Sequence, residues 1–325
     1  MVVTVRIMAL MGLLMTLLVA CTTVRGNDEY QRRNITYTEI DHFGYVMANA
    51  FRATHPEYAV TLGEPLWGRR PKEMAIELRI VANWEPESKS GRTAALAIRQ
   101  DEFSGRIYYS APEDRTAVPE RALLNSLASR SRQAVELRTT FGSLGQGGTD
   151  ELVDKGAVDE QLKQAGQTKV ITVVVELREP LTVADVRRKG YLSLNKVIFA
   201  SAKGEPPVYW DGFTTFCGDC YGDSERITND FRSWVSALSP SDGDALSHFG
   251  LRLERLRETA RAGKIAGYLV KEANPGLLRR LLQKDYVRTL HIVRIDEYCA
   301  DYELGECVPG RWPKENRLEG ERLPG

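Results

Sequence analysis

Apolar and polar residues recur along this chain with two different periods, and the changes of period mark its elements. Thr36 to Thr54 places Ile40, Phe43, Met47, Ala50 and Phe51 at helical spacing, which predicts an amphipathic helix. From Lys72 to Val81 the period drops to two, with Met74, Ile76, Leu78 and Ile80 on one face and Glu73, Glu77 and Arg79 among the others. Side chains alternate across a strand, so this segment is a half-buried strand. Ala94–Arg99 and Arg106–Ser110 flank a loop from Asp101 to Gly105, the pattern of a hairpin. Pro119 opens a predicted helix reaching Arg138, because a first-turn proline loses no helical hydrogen bond. The glycine-rich run from Phe141 to Gly148 reads as a linker.

Beyond it, Lys169 onward aligns without a gap on Lys264 onward, at a constant offset of 95. Lys169 meets Lys264, Val175 meets Val270, Pro180 meets Pro275, Lys189 meets Lys284 and Tyr191 meets Tyr286. Each copy runs apolar strand, proline-marked turn, short helix, second strand. Thr182 with Asp185 resembles a capping box in the first copy, and Asn274-Pro275 supplies a cap and a first-turn proline in the second. Two such βαβ units predict a ferredoxin-like sheet of four strands with two helices on one face. Between them lie two helical stripes: Ile227, Phe231, Trp234, Val235 and Leu238, then Leu246, Phe249, Leu253, Leu256 and Ala260. The expected fold is therefore α+β, with a C-terminal ferredoxin-like domain carrying a helical insertion, preceded by a smaller α+β domain. The corresponding boundaries are an N-terminal domain over 31–141, a linker over 142–150, the ferredoxin-like domain over 151–307 and an extended tail over 308–325.

Composition narrows the function classes. The 325 residues hold 44 Lys plus Arg and 44 Asp plus Glu, so no net charge steers the chain to nucleic acid. The arginines at 252, 255, 257 and 261 are interleaved with Glu254 and Glu258, as on a solvated helix face.

The N-terminus carries the most specific signal. Arg6 precedes an apolar run from Ile7 to Ala20, 14 residues long. A helix crossing a bilayer must cover roughly 30 Å of hydrocarbon, so this run is too short to span and suits a signal peptide. It ends in Leu18-Val19-Ala20-Cys21, which resembles the lipobox of bacterial lipoproteins. The resemblance implies a signal peptide over 1–20, a diacylglyceryl group on the Cys21 thiol, cleavage before that residue and acylation of the new amino terminus, by palmitate for instance. A lipidated tether over 21–30 would follow. Two or three acyl chains hold firmly where one binds marginally. The body is then expected outside the cytoplasm, on the cell membrane or the outer membrane.

Lipidation of Cys21 leaves four cysteines, an even number in an oxidising compartment, and two disulfides become the default. The local pairs Cys217–Cys220 and Cys299–Cys307 are favoured among three connectivities. An alternative is a redox CxxC at Cys217 and Cys220, making the protein an envelope thiol–disulfide oxidoreductase. Against it, Tyr221-Gly222-Asp223 delays the next helix, and Asp219 and Asp223 raise a thiol pKa. A four-cysteine zinc site is disfavoured by export. Asp219, Asp223 and Glu225 lack the alternation of a calcium loop, and Ser193-Leu-Asn-Lys196 precedes a strand where Ser-x-x-Lys chemistry wants a helix. His42, His55, His248 and His291 share no metal spacing. No metal or cofactor is expected.

The segment Val173–Val186, with Ile265–Val270 and Tyr286–Leu290, resembles the extracytoplasmic domain of some sigma-factor regulators. The chain departs from them in having no spanning helix ahead of that domain. The reading is a lipid-anchored, non-enzymatic module of the cell envelope that binds another protein or a ligand.

Overall fold

The structure is a computed structural model that describes residues 39–65, 73–82, 94–101, 104, 106–112, 116–118, 132–145, 154–191, 194–201, 205–211, 224–303 and 306–311. The described residues from Gly44 onward belong to one compact unit; those before it, 39–43, open the first helix.

That helix, α1 (Glu39–Thr54), matches the predicted amphipathic segment, and Met47, Ala50 and Phe51 are fully buried. It closes with Thr54 Oγ1 donating to Ala50 O at 2.9 Å, and the Phe51 ring stacks on His55 at 3.8 Å. Next come β1 (Tyr58–Pro65), β2 (Glu73–Ala82), β3 (Ala94–Asp101) and β4 (Ile107–Ser110). They form a meander, each strand antiparallel to the next. The period-two pattern of β2 sets its register: Ile80 lies opposite Val60 and Ile76 opposite Ile98, all buried. The predicted hairpin is β3–β4.

The helix expected over 119–138 is seen from residue 132 and runs past its expected end. The described helix α2 runs Arg132–Gly145, while 119–131 and 146–150 fall outside the described residues. The expected linker therefore does not begin at residue 142. Phe141 and Leu144 are buried, and those apolar contacts hold Gly142 between them in helical geometry.

After α3 (Lys155–Ala165) come β5 (Lys169–Thr182), α4 (Val183–Lys189), β6 (Lys196–Phe199) and β7 (Val208–Asp211). The helical insertion holds α5 (Ser224–Ala237), a 3-10 turn at Pro240–Asp242, α6 (Gly243–His248) and α7 (Leu253–Ala262). Then follow β8 (Lys264–Ala273), α8 (Pro275–Leu282), β9 (Val287–Glu297) and a hairpin of β10 (Cys299–Glu303) and β11 (Glu306–Pro309). Both predicted caps form. Thr182 Oγ1 accepts from Asp185 N at 3.1 Å, and Asn274 Oδ1 accepts from Gly276 N at 2.7 Å. The second predicted insertion stripe is split between α6 and α7 by Gly250, whose φ of 69° is the left-handed geometry that glycine adopts freely.

The second sheet has five strands in the order β7-β6-β8-β5-β9, each antiparallel to its neighbours. Strand β8 lies between β5 and β6, and β5 lies between β8 and β9, so the two β–α–β units interleave. The expected count of four strands is corrected by β7, whose residues Val208, Tyr209, Trp210 and Asp211 are all buried.

One face of this sheet presents Val173, Val175, Val197, Phe199, Tyr268 and Leu290 to a core shared with Val186, Phe231, Trp234, Leu256 and Leu278. Trp210 stacks on Trp234 at 5.2 Å, and Phe199 on Phe231 at 4.3 Å. The other face receives α2, where Phe141 meets Tyr209 edge-on at 5.3 Å. A Cβ at Gly267 would lie 2.4 Å from Val175 O and 3.4 Å from Leu144 Cδ1, so glycine permits this approach. Helices on both faces replace the expected single helical layer.

Candidate functional site

Strand register places polar side chains at both ends of one row on the α2 face. Asp211 pairs with Lys196, Lys196 with Leu269, Leu269 with Val174 and Val174 with His291. Side chains in register share a face. Lys196 on β6 and His291 on β9 are three strand spacings apart, roughly 14 Å.

At the β6–β7 end the charges are enclosed. Lys196 has no exposed surface and Asp211 is 2% exposed. Lys196 Nζ lies 3.5 Å from Asp211 Oδ2 and donates to Tyr58 O at 2.7 Å. Arg52 of α1 brings Nε to 3.2 Å from Asp211 Oδ1 and lays its guanidinium over the Trp210 ring at 4.9 Å. Arg138 of α2 forms an ion pair with the buried Glu57. Burial pushes the Lys196 ammonium below its ordinary range; Asp211 and Glu57 oppose that shift and Arg52 adds to it. Burial, reinforced by the negative charge of Glu57, raises the phenols of Tyr58 and Tyr209. A sealed amine and carboxylate have no room for a substrate. Their chemistry is that of a joint, tying the α1–β1 corner and α2 to the sheet edge.

At the β5–β9 end the charges reach solvent. Glu176 is 6% exposed, yet it takes His291 Nε2 at 2.8 Å on one oxygen and Arg288 Nη1 at 3.0 Å on the other. The His291 and Arg288 side chains are 32% and 29% exposed. An ionised carboxylate only accepts, so Nε2 carries the proton and Nδ1 presents a lone pair when the ring is neutral. An imidazole oriented by a carboxylate is half of a general-base pair. No described residue supplies a nucleophile hydrogen-bonded to that Nδ1.

The cysteines expected to matter are placed unevenly. Cys21, Cys217 and Cys220 lie outside the described residues, as does Ser193. Cys299 opens β10 opposite Pro309 and is disulfide-bonded, while Cys307 of β11 lies opposite Tyr302. Among the histidines, His55 stacks on Phe51 and His248 Nε2 lies 3.2 Å from Tyr109 Oη. Among the described residues, no group of three His, Cys, Asp or Glu side chains could hold a metal ion.

Sequence reasoning missed both polar clusters, although each left a trace. Glu176 interrupts the apolar run Val173-Val-Val-Glu-Leu177, and Lys196 and Asp211 bound the short runs Val197–Phe199 and Val208–Trp210. A charge embedded in a buried strand requires a partner. Comparison with known protein families, with characterised proteins and with solved structures finds no match to this chain.

Proposed function

We propose that this protein is a bacterial envelope lipoprotein, held to a membrane by lipid on Cys21, whose exported body binds a partner protein or ligand without catalysing a reaction. The observation that carries the reading is Leu18-Val19-Ala20-Cys21 closing a 14-residue apolar run. No helix among the described residues is long and apolar enough to cross a membrane. We assign the two interleaved β–α–β units a ferredoxin-like topology, on the order β9-β5-β8-β6 with all pairs antiparallel. On this reading β7 is an added edge strand, and the scaffold displays its loops and helix ends as a binding surface.

Expression of the full chain in a bacterial host with labelled palmitate tests the anchor. Label is expected in the wild type, together with recovery in the membrane fraction, and both are expected to vanish in Cys21→Ser. Unchanged fractionation of Cys21→Ser overturns the reading. The Cys-Gly-Asp-Cys run at 217–220 supports a second reading, an envelope thiol–disulfide oxidoreductase. Thiol trapping separates the two: a readily reduced Cys217–Cys220 bridge favours the enzyme, and poorly reducible bridges favour the binding module.

A further inference from the structure

Three segments converge on the turn at Tyr286–Val287, and each brings a cation. Lys155, at the start of α3, donates to Val287 O and to Leu282 O, both at 2.8 Å. At Arg178, β5 bulges away from β8 between Glu176 and Leu181; Arg178 donates from N to Tyr286 O at 3.0 Å and from Nε to Val287 O at 3.4 Å. The last turn of α4 holds Arg187, Arg188 and Lys189. Tyr286 Oη donates to Gly190 O, fixing that turn against the others, and Lys189 Nζ sits 5.8 Å from the Tyr286 ring.

The acids nearby do not neutralise this corner. Asp185 pairs with Arg188, and Asp285 with Lys189 at 3.7 Å. Among the described residues, Lys155, Arg178 and Arg187 have no carboxylate partner. Arg178 and Arg187 are exposed, with Glu179 beside Arg178. Burial first, and then the charge of Arg178, lower the Lys155 ammonium, which places the two cations within each other's field. Cations at helix C-termini complement the helix dipole, and that accounts for Lys155 at the end of α8. It does not account for an exposed arginine on the β5 bulge.

We propose that this corner is the face that the body turns toward anionic phospholipid, resting on the lipid-anchored reading. Each lysine or arginine near an anionic surface strengthens attraction by roughly fivefold, so Arg178 and Arg187 together give roughly twenty-five-fold. An anchor already holds the body at high local lipid concentration, so an attraction too weak to recruit the protein still orients it.

The test uses the full chain, purified from membranes and reconstituted in phosphatidylcholine vesicles with and without phosphatidylglycerol. Amide exchange is expected to slow by about threefold or more at 178–190 and 284–288 with phosphatidylglycerol only. Screening shrinks to about 3 Å in 1 M salt, so the effect should disappear there. Arg178→Gln with Arg187→Gln should abolish it, while Arg261→Gln on α7 should retain it, with unchanged melting in all variants. Equal exchange in both vesicles, or protection surviving the double substitution, overturns the proposal. The mass of the N-terminal peptide reports the anchor separately. Protection without lipid on Cys21 sinks the anchor and keeps the face, and lipid without protection does the reverse.

Discussion

The two ends of one row of side chains teach how burial divides charged residues between structure and surface chemistry. Lys196 and Asp211 at the β6–β7 edge are sealed by Arg52, Tyr58 and α2; Glu176 at the β5–β9 edge is sealed, but its partners His291 and Arg288 are one-third open. Taking charges out of water is costly, and removing one partner of a buried pair strands the other. The enclosed cluster should therefore control stability, whereas the open one can meet solutes.

The largest effect that can break this contrast comes from Lys196→Met. It leaves Asp211 buried against Arg52 alone and should cost about 3–5 kcal/mol, read by urea unfolding. Adding Asp211→Asn should recover part of that loss, because contacting partners couple. Gly267→Ala, between the two clusters on the same face, comes next at about 1–3 kcal/mol, since its Cβ collides with backbone.

Glu176→Gln should cost less, about 1–2 kcal/mol, because His291 and Arg288 can turn to water. Loss of the carboxylate should also free the His291 ring, visible as a change in its NMR side-chain chemical shifts at fixed pH. Unchanged His291 shifts would mean that the two side chains are not paired in solution.

The smallest effect is alkaline. Tyr58 and Tyr209 are held above the ordinary value of 10.0, by burial first and then by Glu57. Above that pH the unfolded chain releases these protons and the folded chain keeps them. Stability should therefore fall as pH rises through 10, and phenolate absorbance from these two residues should appear only with unfolding.

The sequence made the local elements legible. The 95-residue offset located both β–α–β units, and Thr182 and Asn274 form the caps their positions predicted. Period two located β2, since alternation records a sheet with one buried face. Legibility failed where a short segment is held by distant contacts. Val208–Asp211 is four residues long and becomes a strand by pairing with β6. Phe141–Gly145 has the composition of a linker, yet it is helical because Phe141 and Leu144 are buried. Neither polar cluster was visible for the same reason. Glu176 and His291 are 115 residues apart and Lys196 and Tyr58 are 138 apart, and only tertiary folding joins them.

The most direct test of the account is the intact mass of the full chain recovered from a bacterial host. A chain beginning at residue 21 and heavier by a diacylglyceryl group is the expected result. A chain that begins at Met1, or one cleaved elsewhere and bearing no acyl group, would contradict it.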